Sequence, residues 1–142
     1  MQINLDKLFE PLKNYAPLLI RLAFGFHLLY YSWQPVISLS AGESASFLSS
    51  LGIPFPILMS WLYVLTEFIG GLLLIVGYKV RWVALPLIVT FIVASFVAHF
   101  GDPYEKSFQA LQMLAVSSYF LIGGAGKLSL DSLLTSKKLS HI

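Results

Sequence analysis

Long apolar runs, each broken by one or two polar residues and bounded by basic ones, set the pattern of this chain. A bilayer-crossing helix needs about 20 largely apolar residues, and four segments have that character: 15–35, 57–77, 80–100 and 107–124. The fourth is the most polar, carrying Gln109, Gln112 and the Ser117-Ser118 pair. Backbone groups in hydrocarbon must satisfy one another, so the runs are predicted to be helices rather than open strands. Between the first two runs, segment 36–56 carries its own signal. Glu43 to Leu51 fits a short amphipathic helix with Phe47, Leu48 and Leu51 on one side and Gly52 as its stop. Ile53-Pro54-Phe55-Pro56 should then lead back as a stiff extended stretch. Ahead of the first run, Leu5, Leu8, Phe9 and Leu12 repeat at helical spacing, and 1–14 reads as an amphipathic segment on a membrane surface. The first run is too long for the apolar part of a signal peptide, and Arg21 and His27 interrupt it.

The predicted fold is therefore all-α: a polytopic membrane protein, a four-transmembrane-helix bundle in one domain, with a short amphipathic helix in its outer loop. Composition agrees, with 57% hydrophobic and 11% charged residues among 142, where a soluble domain carries about a quarter charged. The charges also orient the bundle. Lys7, Lys13, Lys79, Arg81, Lys127, Lys137 and Lys138 flank the runs on one side, against Lys106 on the other. Basic residues stay in the cytoplasm, which places both termini, the 78–79 turn and the 125–142 tail there. A net charge of +2, in small groups beside apolar runs, offers nucleic acid no basic patch. The absence of cysteine removes thiolate metal sites and any dithiol relay in this chain.

Polar residues inside the runs are the candidates for chemistry, because an ionisable group at that depth is costly unless it is paired or solvated. Arg21 is expected ~8 Å inside the cytoplasmic boundary and Glu67 near the midplane. Gly25 and Gly71 on the same stripes would let the two helices approach, so an Arg21–Glu67 contact is the expected pair. The alternative is Arg21 reaching back to the head groups, with Glu67 held by Tyr63. His27 completes this intramembrane polar set on another face of the first helix. A second set, His99, Gln109, Gln112 and Trp33, gathers at the outer ends, where a His and two amides could hold a polar head group such as a quinone carbonyl. The competing reading is an aromatic belt with ordinary interface polarity. Haem ligation by His27 and His99 fails on depth, since they should lie ~10 Å apart along the membrane normal. No His/Asp/Glu cluster points to a metal. Gly123-Gly124-Ala125-Gly126-Lys127 lacks the first glycine and the final Ser/Thr of a phosphate loop.

Several pieces together carry a resemblance. They are Arg21 with Gly25 and Trp33, then Leu51-Gly52-Ile53-Pro54, then Glu67-Phe68-Ile69-Gly70-Gly71-Leu72. Gly77 with Arg81, His99, and Gly123-x-x-Gly126 before Leu128-Ser129-Leu130-Asp131 complete the set. In these the chain resembles the DoxX family of small four-helix bacterial membrane proteins, over about residues 15–134. Two positions depart from that pattern: Ser32 and Pro35 replace a Gly-x-x-Lys, and Gln109 stands where many members carry a charge. The resemblance implies a bacterial inner-membrane location and an association with membrane redox systems, including a thiosulfate:quinone oxidoreductase subunit. Three functions stay open on the residues: a quinone-linked accessory subunit of a redox complex, a proton-coupled transporter built as a homo-oligomer around Glu67, and a membrane scaffold without chemistry. Quinone is the one cofactor candidate, and the lipid bilayer and redox-complex subunits are the expected partners.

Overall fold

A computed structural model describes Leu5 and residues 9–139. Six α-helices account for most of the described residues, with no strand among them. They are α1 (Ala16–Ile37), α2 (Gly42–Ser50), α3 (Pro56–Val76), α4 (Val80–Val93, continued as a π-helical turn over Ala94–Ala98), α5 (Tyr104–Gly123) and α6 (Leu130–Leu139). A 3-10 turn at Glu10–Leu12 precedes α1. Within the amphipathic segment expected over 1–14, residues 1–4 and 6–8 lie outside the described residues. Among the described residues two helices, α3 and α4 with its π turn, are long and apolar enough to cross a membrane by length and composition.

The helices assemble through narrow stripes. On α1 the buried positions are Arg21, Phe24, Gly25, Leu28 and Ser32, the three- and four-residue spacing of one helix face. On α3 they include Ser60, Val64, Glu67, Gly71 and Leu74. These stripes face each other antiparallel and meet most closely where neither helix has a side chain. A Cβ built on Gly25 would lie 2.8 Å from the Gly71 carbonyl oxygen, and one on Gly71 would lie 2.8 Å from the Gly25 carbonyl oxygen. Small residues at a crossing let two backbones touch, as membrane helix packing requires. Phe24 carries the contact on to the other helices, 6.2 Å from the Phe91 ring and 6.1 Å from Phe120. With Leu28, Leu74, Val80, Leu87 and Ala125 these rings form one core shared by α1, α3, α4 and α5. Away from the stripes the helices are apolar and exposed: Leu19, Phe26, Val89 and Ile122 are each more than 60% accessible. Water would not tolerate so broad an apolar surface, whereas lipid tails would.

Two local expectations are corrected. The stretch before α3 is not extended: Phe55 adopts φ 52°, ψ 53° in the left-handed region. The chain must reverse from α2 into α3 within a few residues, and the turn falls immediately before Pro56, whose fixed φ suits the first helical position. On α2, Phe47 is exposed and the buried residue is Ala45. This helix is held to α3 through a polar tie, the Ser60 hydroxyl donating to the Ala41 carbonyl at 3.1 Å, so a small residue rather than an aromatic one faces inward. Beyond these, the tail after α5 contains a helix, α6, that the hydrophobic pattern gave no reason to expect.

Candidate functional site

Arg21 and Glu67 share an interface but not a contact. Arg21 is 2% exposed, and its guanidinium donates from Nη1 to the Ala125 carbonyl and from Nη2 to the Leu128 carbonyl, both at 2.8 Å. Among the described residues, no ion pair joins it to Glu67. The expected pairing gives way for a geometric reason. Side chains lean toward their own helix N-terminus, which carries Arg21 away from the Glu67 level and toward the irregular segment after α5. Carbonyls there have no helical partner, and a planar guanidinium can serve two of them at once.

Around Arg21 the ends of four helices are tied together. Helix α3 stops in a Schellman pattern, Tyr78 N–H donating to Leu73 O at 3.0 Å and Gly77 N–H to Leu74 O at 3.1 Å. Gly77 has φ +77°, and a Cβ there would fall 2.5 Å from Arg21 Nη1. Glycine is therefore required twice over, for the turn and for the guanidinium. Asp131 caps α4 from a distance, its carboxylate accepting from Lys79 N–H at 2.7 Å and Val80 N–H at 3.1 Å. Its negative charge also suits the positive end of that helix. Ser129 caps α6, accepting from Ser132 N–H at 3.2 Å. Arg81 closes the C-terminus of α5 by donating to Ile122 O at 3.1 Å. Sequence reading singled out Ser129-Leu130-Asp131 only through resemblance. With α6 itself unexpected, nothing local announces the Ser129 cap or that Asp131 serves a helix 51 residues earlier.

Glu67 is 5% exposed, and Tyr63 stands one turn before it on α3. His27 lies elsewhere. Its Nε2 is 2.9 Å from Nε2 of Gln109 on α5, and its ring centroid is 4.7 Å from that of Tyr31. Two nitrogens at this distance need one donor and one acceptor. The Gln109 amide donates to the imidazole when the ring proton is on Nδ1, and the roles reverse if the amide is turned over.

The other outer set is divided. His99 Nδ1 lies 3.1 Å from Asp102 Oδ2, and Asp102 also faces Lys106 at 4.0 Å. Trp33 stacks on Phe68 of α3 at 6.3 Å. Gln112 is exposed. Of the residues expected to form a head-group site, Gln109 meets His27 rather than His99. The physical cause is the loop after α4, where His99 and Asp102, three residues apart, pair locally. Beside the His27–Tyr31–Gln109 cluster, α1 presents an open, largely aromatic groove lined by Phe26, Leu29, Tyr30, Tyr31, Trp33 and Gln34. Tyr31 belongs to both.

Apolar helices that pack through small residues, with exposed faces suited to lipid, define an all-helical membrane protein. The DoxX family model matches residues 16–100, and the chain belongs to that family. The match spans α1 to α4, and the Arg21 and Asp131 contacts attach the remaining helices to it. No curated protein and no solved structure matches the chain.

Proposed function

We propose that the chain crosses a bacterial inner membrane four times, with both termini in the cytoplasm, and serves as a quinone-contacting accessory subunit of a membrane redox complex. Helices α1 and α5 have 22 and 20 residues, sufficient at ~1.5 Å per residue to span a ~30 Å hydrocarbon layer. The excess of Lys and Arg around the Gly77 turn and the two ends of the chain supports the orientation. The association of the family with quinone-linked redox systems supports the class of partner.

One observation carries the ligand: the His27 ring meets the Gln109 amide and packs against the Tyr31 ring, partly exposed at the seam between α1 and α5. A quinone carbonyl accepts from an imidazole or amide N–H, and its flat ring packs on aromatic side chains such as those of the neighbouring groove. This moves the head-group site from His99 and Gln112 to His27 and Gln109. Titrating purified protein in detergent with a short-chain ubiquinone or menaquinone analogue tests it. Saturable binding is expected, weakened about tenfold or more by His27→Ala or Gln109→Ala, since losing a hydrogen bond of this kind costs ~1–2 kcal/mol, and unchanged by His99→Ala. Absence of saturable binding, or dependence on His99 alone, would overturn it.

A scaffold without chemistry is the second reading. It is favoured by Arg21, whose Nη1 and Nη2 both engage backbone carbonyls and which is buried away from the surface, out of reach of a ligand. On that reading His27→Ala changes neither binding nor the activity of any partner.

A further inference from the structure

The face of the molecule formed by α3 and α4 carries a groove of about 370 Å³ that the reading above does not use. Its floor is Gly70, where the missing side chain leaves a notch above Leu87. Leu62 and Thr66 extend it along α3, and Pro86, Trp82 and Lys79 form the α4 wall. The positions 79, 82, 83 and 86 recur at helical spacing, so they present one continuous face. From Leu62 to Leu73 the groove is ~16 Å long at ~1.5 Å per residue, against ~15 Å for one leaflet of the hydrocarbon layer.

Its two ends differ in chemistry. The Leu62 end is apolar, and the other end holds the exposed Lys79 next to Trp82, which is 72% accessible. An amphipathic indole beside a cation is the arrangement found at the head-group level of a bilayer. The Lys79 ammonium lies 5.4 Å from the Tyr78 ring centroid, and no carboxylate among the described residues forms an ion pair with it. Asp131 takes the backbone N–H groups of Lys79 and Val80, so the helix terminus is already capped and the charge left to meet an anion is the ammonium.

We propose that this groove is a site for an anionic phospholipid of the leaflet on the Lys79 side, with an acyl chain along Gly70 and the phosphate against Lys79. The proposal rests on α3 and α4 crossing the membrane. It fits a lipid better than an extended peptide, whose backbone N–H and C=O groups would be left unpaired in hydrocarbon.

Trp82 supplies the reporter. In a Trp33→Phe, Trp61→Phe background it is the sole tryptophan, and the full-length protein can be placed in vesicles whose phosphatidylglycerol or phosphatidylcholine carries brominated chains. The site predicts that brominated phosphatidylglycerol quenches Trp82 with an apparent affinity about fivefold above that of brominated phosphatidylcholine, the effect of one well-placed cation. Lys79→Gln should abolish the preference and Lys79→Arg restore it. Lys127→Gln, which removes a cation near the same end but outside the groove, should leave it intact. Equal quenching by both lipids, or equal loss in Lys79→Gln and Lys127→Gln, would overturn the site while leaving the membrane-spanning reading in place. No quenching by either lipid would overturn both.

Discussion

Arg21 is the residue on which the molecule converges, and its placement decides what the charge inside α1 is for. A guanidinium 2% exposed has lost its hydration, and two carbonyl partners at 2.8 Å are what compensate. Removing it would leave the Ala125 and Leu128 carbonyls without those partners, at a cost of about 2–5 kcal/mol. Arg21→Ala should therefore lower the thermal unfolding midpoint in detergent sharply. Arg21→Lys should recover less than half of the loss, since an ammonium lacks the planar fork that reaches both carbonyls. A lysine variant as stable as the parent would mean that charge alone, not the fork, is what the site needs. Sequence reasoning placed Arg21 on the correct stripe, with Gly25 and Leu28, because helical spacing is local information. It chose the wrong partner, because the competing acceptors are backbone carbonyls, which have no letter in a sequence. Glu67 was read as an interior residue with Tyr63 as one candidate partner, and i to i+4 proximity on one helix is legible for the same local reason. His99 pairs with Asp102, three residues further along the chain, rather than with amides a helix away.

At the scale of elements, the helices were legible and their ties were not. Apolar runs located α1, α3, α4 and α5, since burial of a polar backbone in an apolar setting leaves few options besides a helix. What escaped was α6, whose composition is too mixed to show a period, and the role of Asp131, which joins α6 to α4 across 51 positions. That long-range cap explains why a short polar helix is held in place at all. Asp131→Ala should remove it at about 1–2 kcal/mol, the usual worth of an N-cap. The α6 segment should then loosen before the rest does. Limited trypsin digestion is the check: cleavage at Lys127 and Lys137 should accelerate several-fold in the variant, while the bundle helices remain resistant. Unchanged cleavage would show that Ser129 and the Arg21 carbonyl contacts are sufficient without Asp131.

For the whole molecule, one end is locked and the other is open. At the Gly77 end, Arg21, Arg81, Ser129 and Asp131 bind backbone groups of α4, α5, α6 and the segment between the last two. At the other end, α2 is tied by a single Ser60 hydrogen bond and His27 meets Gln109 at a partly exposed seam. The sequence draws attention to the outer end, with His99, Gln109, Gln112 and Trp33, because side chains are legible there and backbone caps are not. The locked end fixes the bundle, while the packing at the other end is looser. All of this presumes that the loop carrying α2 and the loop carrying Asp102 lie on one side of a membrane and α6 on the other. The chain contains no cysteine, so single reporters can be introduced at Ser46, Asp102 and Ser136 without a background. Labelling with a membrane-impermeant maleimide is the most direct test. The account predicts that Ser46→Cys and Asp102→Cys react in intact spheroplasts and that Ser136→Cys reacts only after the membrane is opened. Reaction of Ser136→Cys alongside the other two before opening would contradict it.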